Sequence, residues 1–168
     1  RGSLMYRLGL VPGEFSLLRL FTHMFVHADW MHVIGNLWFF YICGVTMEIY
    51  WGLGRFLLCY LGCGVAAALS FIAIATFSGA DVANTPLVGA SGAIAGAMGA
   101  FLVTHKSARV TILYALGFRF RTFTVTAPWY FLTWLLVQIA MAMLTFRQSS
   151  GVAYTAHVGG FFMGMVLA

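Results

Sequence analysis

The chain has 168 residues, of which 62% are hydrophobic and only 8% are charged. Soluble domains carry about 25% charged residues, so this chain has too few charges to cover a water-exposed surface, and its length suits one domain. We therefore predict a polytopic membrane protein. The net charge of +5 does not indicate nucleic-acid binding, because the cations lie in predicted loops and form no basic tract.

Apolar segments follow one another along the chain after an N-terminal loop. Residues 1–29 mix charged and turn-forming residues with apolar pairs, which predicts a structured loop at the membrane interface. Because about 20 apolar residues cross a bilayer, spans are predicted at about residues 30–50, 56–77, 91–105, 128–146 and 153–168. The predicted fold class is all-α, a polytopic transmembrane helix bundle with five spans in one domain over residues 1–168.

The connections between these spans define the predicted topology. One side of the membrane holds residues 1–29, 78–90 and 147–152, the last of which is a predicted polar turn. The other side holds the basic connection 106–127, which we predict to be cytoplasmic from a mild excess of Lys and Arg. Within this connection, Val110 to Phe118 is apolar but too short to cross, and Arg119 to Thr126 alternates like a strand at the interface.

Polar side chains inside membrane spans are costly and usually functional. His32 and Asn36 are four residues apart and therefore share one face of their helix. Both lie in the first turns of their span, and Ser91 and His157 each open a span on the same side of the membrane. The topology therefore predicts that these four side chains lie together, a little below one membrane surface.

Small residues repeat along the two helices that Ser91 and His157 open. The repeats, which predict faces of close helix approach, are Ser91, Ala95 and Gly99 on the first helix and His157, Gly160 and Gly164 on the second. If these faces meet, the Ser91 hydroxyl comes within hydrogen-bond reach of the His157 ring, as a nucleophile and its general base require. No carboxylate is placed to orient His157, so we predict a dyad and not a triad.

The amide of Asn36 and the imidazole of His32 are suited to an oxyanion hole. Donors of this kind typically contribute about 3 kcal/mol each to stabilising a developing negative charge. The N-terminus of the helix behind Ser91 adds free backbone N–H groups and a positive dipole end. These residues together predict a serine protease that works inside the membrane.

Simpler interpretations exist for each of these residues. An intramembrane serine usually hydrogen-bonds a backbone carbonyl, and small-residue spacing usually serves packing alone. Catalysis is favoured by the coincidence of depth, helix faces and polar partners. A metal site formed by His23, His27 and His32 is the weaker interpretation, because no cysteine or carboxylate completes it. Loop-ordering hydrogen bonds are the favoured role of these histidines, and we predict no metal and no cofactor.

Five motifs extend over almost the whole chain, from about residue 19 to residue 164. They are Phe21-Thr22-His23-x-x-x-His27, His32-x-x-x-Asn36, Gly44-x-x-x-Glu48, Gly89-Ala90-Ser91-Gly92 and His157-x-x-Gly160-x-x-x-Gly164. In content and order this set resembles the rhomboid family of intramembrane serine proteases, and its bacterial members most. The resemblance implies that Ser91 is the nucleophile, that His157 is the base, and that His32 and Asn36 occupy the oxyanion positions.

The resemblance also implies supporting roles for residues around the site. Structural glycines near the site are Gly89, Gly92, Gly160 and Gly164. Residues 78–90 would cap the site, and Arg19 and Glu48 match a pair that fixes the first loop.

The chain differs from the family pattern in two respects. Ala95 stands where a tyrosine commonly stacks under the histidine, so other packing must hold His157. The family's core has six helices, and its first is absent before residue 1, so the chain is expected to be a fragment of that core.

The predicted function is an intramembrane serine endopeptidase that cleaves transmembrane or near-membrane segments of membrane proteins. Its predicted partners are transmembrane protein substrates and the lipid bilayer, and its predicted location is the bacterial inner membrane. The first alternative is a catalytically silent relative that binds membrane clients, although such relatives generally lack the serine or the histidine. The second alternative, a transporter or channel subunit, predicts ionisable residues along a continuous path through the bilayer, whereas here they cluster at one end.

Overall fold

Helices account for most of residues 3–146 and 153–168, which are the residues that the computed structural model describes. The polar turn predicted at residues 147–152 lies outside the described residues. The helices are α1 (Leu4–Leu8), α2 (Arg19–Thr22), α3 (Trp30–Phe39), α4 (Val45–Trp51), α5 (Leu53–Ser78), α6 (Ala80–Ala83), α7 (Ser91–Thr104), α8 (Ala127–Leu144) and α9 (Tyr154–Leu167). The strands β1 (Arg109–Leu116) and β2 (Arg119–Thr126) separate α7 from α8.

The first long helical segment, Trp30–Trp51, consists of α3, a π-helical turn at Phe40–Gly44 and α4. Asp29 begins it as an N-cap residue, because its carboxylate accepts a hydrogen bond from the His32 backbone N–H at 2.8 Å. Gly52 ends it with a φ of 76°, a left-handed conformation that glycine adopts without steric cost. The chain therefore turns at Gly52, and α5 begins at the next residue.

Among the described residues, three helical segments are long and apolar enough to cross a membrane: Trp30–Trp51, Leu53–Ser78 and Ala127–Leu144. The helices that carry Ser91 and His157, α7 and α9, are apolar but have only 14 residues each. At 1.5 Å per residue such a helix is about 21 Å long, which is shorter than a hydrocarbon core of about 30 Å. The fold is that of an integral membrane protein, whereas the count of five spans stays a prediction.

The central helix of the bundle is α7, in which every residue from Gly92 to Leu102 is buried. It packs most extensively against α9, and both of these helices also pack on α5. Glycine and alanine line these contacts, which lets the helix backbones approach closely. The flanking helices α3 and α8 pack on this group less extensively, so α5, α7 and α9 form the framework that positions Ser91 and His157.

The connection 106–127 contains an antiparallel hairpin of β1 and β2. Leu116 pairs with Arg119 across its turn, and Gly117 adopts a φ of 60° there. The alternation that predicts β2 is confirmed, whereas the run from Val110 to Phe118, predicted only as apolar and too short to cross, forms most of β1. The all-α prediction is therefore incomplete, because the β-branched and aromatic residues of β1 favour a strand and pair with β2.

Candidate active site

Ser91 is the first residue of α7, and a fixed loop leads into it. Gly89 has a φ of 108°, in the left-handed region that favours glycine, and it turns the chain towards the helix. The Gly89 backbone N–H donates a hydrogen bond to the His23 carbonyl at 2.9 Å. Leu10 and Leu87 exchange two further backbone hydrogen bonds of 2.8 and 3.0 Å. The N-terminal segment thereby holds the loop that sets the position of Ser91.

His157 lies in the first turns of α9, facing the start of α7. Its Nε2 atom is 2.8 Å from the Ser91 Oγ atom, a normal hydrogen-bond length for these groups. The sequence predicts this pair from the shared depth of the two residues in the membrane and from their helix faces. The structure brings the two side chains together. The hydroxyl of Ser91 donates when Nε2 carries no proton, which is the arrangement that a general base requires.

Bare glycine backbones allow α7 and α9 to approach each other. A methyl group added at Gly160 would collide with the Gly92 carbonyl oxygen, and one added at Gly164 would collide with the Gly96 carbonyl oxygen. On α9 the glycines are those predicted, and on α7 the predicted Gly99 meets the Phe161 carbonyl oxygen, while Gly92 and Gly96 add contacts outside the predicted repeat. Each helical residue is rotated by about 100° from the one before, so the contact with α9 extends from the predicted face onto the neighbouring one.

Gln138 of α8 adds a hydrogen bond that the sequence did not predict. Its Oε1 atom is 2.8 Å from Nδ1 of His157, and the residue is only 8% exposed. Trp134, one turn earlier on α8, lies beside the same imidazole, with the ring centroids 5.9 Å apart. An amide within an apolar span was an available signal, because a buried polar group needs a partner. The identity of that partner depends on how α8 packs on α9.

A cavity of about 560 Å³ contains the candidate site. Its lining includes the four predicted polar residues, His32, Asn36, Ser91 and His157, together with Gln138. Asn36 is 8% exposed, and its Nδ2 atom has no hydrogen-bond partner among the described residues. Leaving a buried donor unpaired costs free energy, so a negatively charged oxygen in the cavity would gain a hydrogen bond that the protein itself does not use.

The imidazole of His32 is oriented by contacts at the start of α3. The Ala28 backbone N–H donates to His32 Nδ1 at 3.4 Å, which places the proton of a neutral ring on Nε2. A methyl group added at Gly89 would lie 2.6 Å from that Nε2 atom, so the absence of a side chain at Gly89 makes room for the ring. His32 and Asn36 thus both line the cavity as N–H donors.

Arg19 pairs with Glu14 within the N-terminal loop, and not with Glu48 as the family resemblance implies. The Arg19 Nη1 atom is 3.7 Å from Glu14 Oε2 and donates to the Glu14 carbonyl at 3.3 Å. Glu48 lies in α4, towards the other end of its helical segment, where Arg19 does not reach it. The N-terminal loop is thus held by this internal pair and by its backbone hydrogen bonds to Leu87 and Gly89.

Of the three N-terminal histidines, His23 and His27 precede α3, whereas His32 lies in its first turn. His23 is 1% exposed, and its Nδ1 atom lies 3.0 Å from the Arg19 carbonyl oxygen. The rings of His27 and His32 pack edge to face at 5.1 Å. Within residues 3–146 and 153–168, no three His, Cys, Asp or Glu side chains group closely enough to hold a metal ion. The hydrogen bond of His23 agrees with the predicted loop-ordering role.

Two comparisons with known proteins bear on the nature of this site. The Rhomboid domain family matches residues 14–168, a range that contains every predicted site residue. The chain is also similar to the Rhomboid protease GluP of Bacillus subtilis (strain 168), with 32% identity over 99 residues. That similarity covers 59% of this chain but only 18% of the relative, so the chain spans a small part of the relative's length. From the extent of the family match, the chain belongs to the rhomboid family.

Proposed function

We propose that this protein is an intramembrane serine endopeptidase in which Ser91 and His157 form the catalytic dyad. The observation that carries the proposal is the 2.8 Å contact between Ser91 Oγ and His157 Nε2. Ser91 would attack the scissile carbonyl while its proton passes to Nε2, and the resulting imidazolium would donate that proton to the leaving amine. A water molecule would then hydrolyse the acyl-enzyme, again with His157 as the base.

Two side-chain donors are proposed to stabilise the tetrahedral intermediate. The Asn36 Nδ2 group is buried and has no hydrogen-bond partner among the described residues, and His32 lines the same cavity as Ser91. An N–H donor that is already desolvated and aimed by its surroundings needs little reorganisation when negative charge develops. Asn36 and His32 are therefore assigned as the oxyanion donors.

The proposed substrates are transmembrane or near-membrane segments of other membrane proteins. The candidate site lies at the start of apolar helices, so a substrate segment that unwinds near the loop side would bring its peptide bond to Ser91. Small residues are expected at the cleaved bond, because the small-residue faces beside Ser91 leave little space. The Bacillus relative supports a bacterial inner membrane as the location.

The test is cleavage of a model transmembrane substrate by the purified chain in detergent or liposomes. Ser91→Ala and His157→Ala should each abolish cleavage, and the double variant should be no worse, since nucleophile and base act as one unit. Asn36→Ala should keep partial activity, with a loss of kcat of about 10²-fold for one oxyanion donor. A serine-reactive fluorophosphonate should form its adduct on Ser91.

Ser78→Ala is the matched control for the serine substitution. Ser78 is 7% exposed and donates to the Ile74 carbonyl at 2.8 Å, so its loss removes a buried hydroxyl that is not among the residues lining the cavity of the dyad. This variant should cleave and label like the wild type. Full activity in Ser91→Ala, or an adduct on another residue, would refute the protease proposal and favour a catalytically silent, client-binding protein.

A further inference from the structure

We infer that Gln138 is a positioning residue that selects the working tautomer of His157 and holds its ring towards Ser91. This inference rests on the proposed dyad. The two residues lie on neighbouring helices, Gln138 within α8 and His157 near the start of α9. Three groups are thereby connected in series, from the amide oxygen through the imidazole to the Ser91 hydroxyl.

The hydrogen-bonding capacity of the groups determines which nitrogen carries the proton. A carbonyl oxygen can only accept, so the 2.8 Å contact from His157 Nδ1 to Gln138 Oε1 requires a proton on Nδ1. A neutral imidazole has one protonated nitrogen and one acceptor, so Nε2 is left free to accept from Ser91. The opposite tautomer would point an N–H at the Ser91 hydroxyl and could not remove its proton.

The position of Gln138 argues that this contact is not incidental. The residue is 8% exposed on a helix composed mainly of apolar residues, and burying an amide is costly unless it forms hydrogen bonds. The Leu135 side chain, three residues earlier on the same helix, is 6% exposed and belongs to the apolar core. An apolar residue would be the less costly choice at position 138 if packing were the only requirement.

Aromatic rings restrict the orientation of the same imidazole. Trp134 is tilted by 35° against the His157 ring and stacks on Phe161 one turn further along α9. Tyr154 meets the imidazole edge to face, with centroids 6.4 Å apart. These contacts limit rotation of the ring, whereas Gln138 is the one described residue whose contact with the ring distinguishes the two tautomers. The packing that Ala95 does not provide is thus supplied by α8 and by α9 itself.

A neutral acceptor suits a base that is buried in an apolar bundle. A carboxylate in the place of Gln138 would also accept from Nδ1, but it would add a buried charge whose desolvation is expensive. An amide oxygen orients the ring without that charge, and its dipole still favours the imidazolium that forms during attack. The chain therefore combines a Ser-His dyad with an uncharged third group.

The first test compares three substitutions on α8 by their steady-state kinetics on a model transmembrane substrate. Gln138→Met keeps the length of the side chain but removes the acceptor, so kcat should fall about 10- to 100-fold with little change in KM. Gln138→Glu restores an oxygen acceptor and should recover kcat to within a few-fold of wild type near neutral pH.

Thr133→Val is the control on the same helix. It removes an exposed hydroxyl that is bonded to a carbonyl of its own helix, and it should have no effect on kcat. Wild-type kcat in Gln138→Met, or equal losses in the Met and Glu variants, would refute the inference.

The second test reads the tautomer directly and does not depend on activity. In the full chain with ¹⁵N-labelled histidine, the ring nitrogens of His157, assigned by comparison with His157→Gln, should report a proton on Nδ1 in the wild type. Gln138→Met should shift the ring towards a mixture of both tautomers. A wild-type ring protonated on Nε2, or a tautomer unchanged by Gln138→Met, would overturn the inference. If Ser91→Ala still cleaves substrate, the proposed dyad fails, whereas the spectrum still decides whether Gln138 selects the tautomer.

Discussion

Helix α9 and the N-terminal segment of the chain contact α7 and the loop before it by different kinds of interaction. Its contact with α9 is made by backbones that approach where Gly92 and Gly160 have no side chains. Its N-terminal loop is joined to the first segment of the chain by backbone hydrogen bonds, from Gly89 to His23 and between Leu10 and Leu87. The contact between α7 and α9 depends on the absence of side chains at these glycines. The contact of the loop depends on backbone N–H and carbonyl groups that remain hydrogen-bonded to each other.

Because of this difference, the helix contact and the loop contact of the proposed site should respond to different perturbations. The helix contact that sets the Ser91–His157 distance should be sensitive to added atoms, because it is formed where glycine backbones meet. The loop contact that supports His32 uses the backbone carbonyl of His23, a residue whose imidazole is buried. It should therefore be sensitive to pH as well as to added volume at Gly89.

The largest effect is expected from Gly160→Ala at the helix contact. The added methyl group would collide with the Gly92 carbonyl oxygen, which is backbone and cannot move without shifting α7. Overpacking of this kind costs about 1–3 kcal/mol, and a displacement of about 1 Å at reacting groups can cost 10²-fold in rate. Both the melting temperature and the cleavage rate should fall clearly.

Gly54→Ala is the control for this substitution. Gly54 also lies in a helix, but a methyl group added there meets nothing within 4 Å. The variant should therefore melt at or above the wild-type temperature and cleave normally. Equal behaviour of the two variants would show that the close approach of α7 and α9 is not what positions the dyad.

An intermediate effect is expected from Gly89→Ala, compared with Gly79→Ala. Both glycines have a φ of 108°, so alanine pays a similar backbone strain of about 1–3 kcal/mol at each position. Only the methyl group at position 89 would meet His32, at 2.6 Å from Nε2, whereas position 79 is open. Melting temperatures should fall by similar amounts, but kcat should fall about 10²-fold more in Gly89→Ala, as for one oxyanion donor.

This pair separates strain from contact at the loop. If Gly79→Ala lost as much activity as Gly89→Ala, backbone strain alone would account for the effect. His32 would then have no special dependence on the bare backbone of Gly89, and its assignment as an oxyanion donor would lose support.

The smallest effect concerns the pH dependence of stability through His23. Burial lowers the pKa of His23 from its ordinary value of 6.5, so below that pH the unfolded chain binds a proton that the native ring resists. The free energy of unfolding should therefore decrease as the pH falls from about 6.5 towards the lowered native pKa, by about 1.4 kcal/mol for each unit of lowering. Above pH 6.5 this contribution is complete and constant.

Unfolding in detergent at pH 7.5 and at pH 5.5 tests this expectation. His23→Gln keeps a polar side chain that does not titrate in this range, so the difference between the two pH values should be smaller than in the wild type. His27, whose pKa is also lowered by burial, remains in the variant and should preserve part of the difference. An unchanged difference in His23→Gln would show that the loop contact is not the pH-sensitive part of the fold.

Much of the helical architecture and the four polar candidates followed from local chemistry. Apolar runs identify the membrane helices, because the membrane interior is the environment that selects against charged residues. Polar residues at the same end of several such runs must then lie at a similar depth in the membrane. The alternation that predicts β2 is local in the same way. These features depend on residue type and spacing within one segment, and so they can be read without knowing how segments pack.

Other features were decided only by tertiary structure, because they depend on the rotation of one helix against another. The face of α7 that meets α9 contains Gly92 and Gly96 as well as the predicted Gly99, an extent that a helix rich in small residues does not specify. Arg19 could pair with Glu14 or Glu48, and chain geometry selected Glu14. The partner of Gln138 likewise follows from the packing of α8 on α9. Sequence alone determined which groups had to find partners, and the packed bundle decided which partners they found, because a side chain reaches only the few neighbours that its helix face presents.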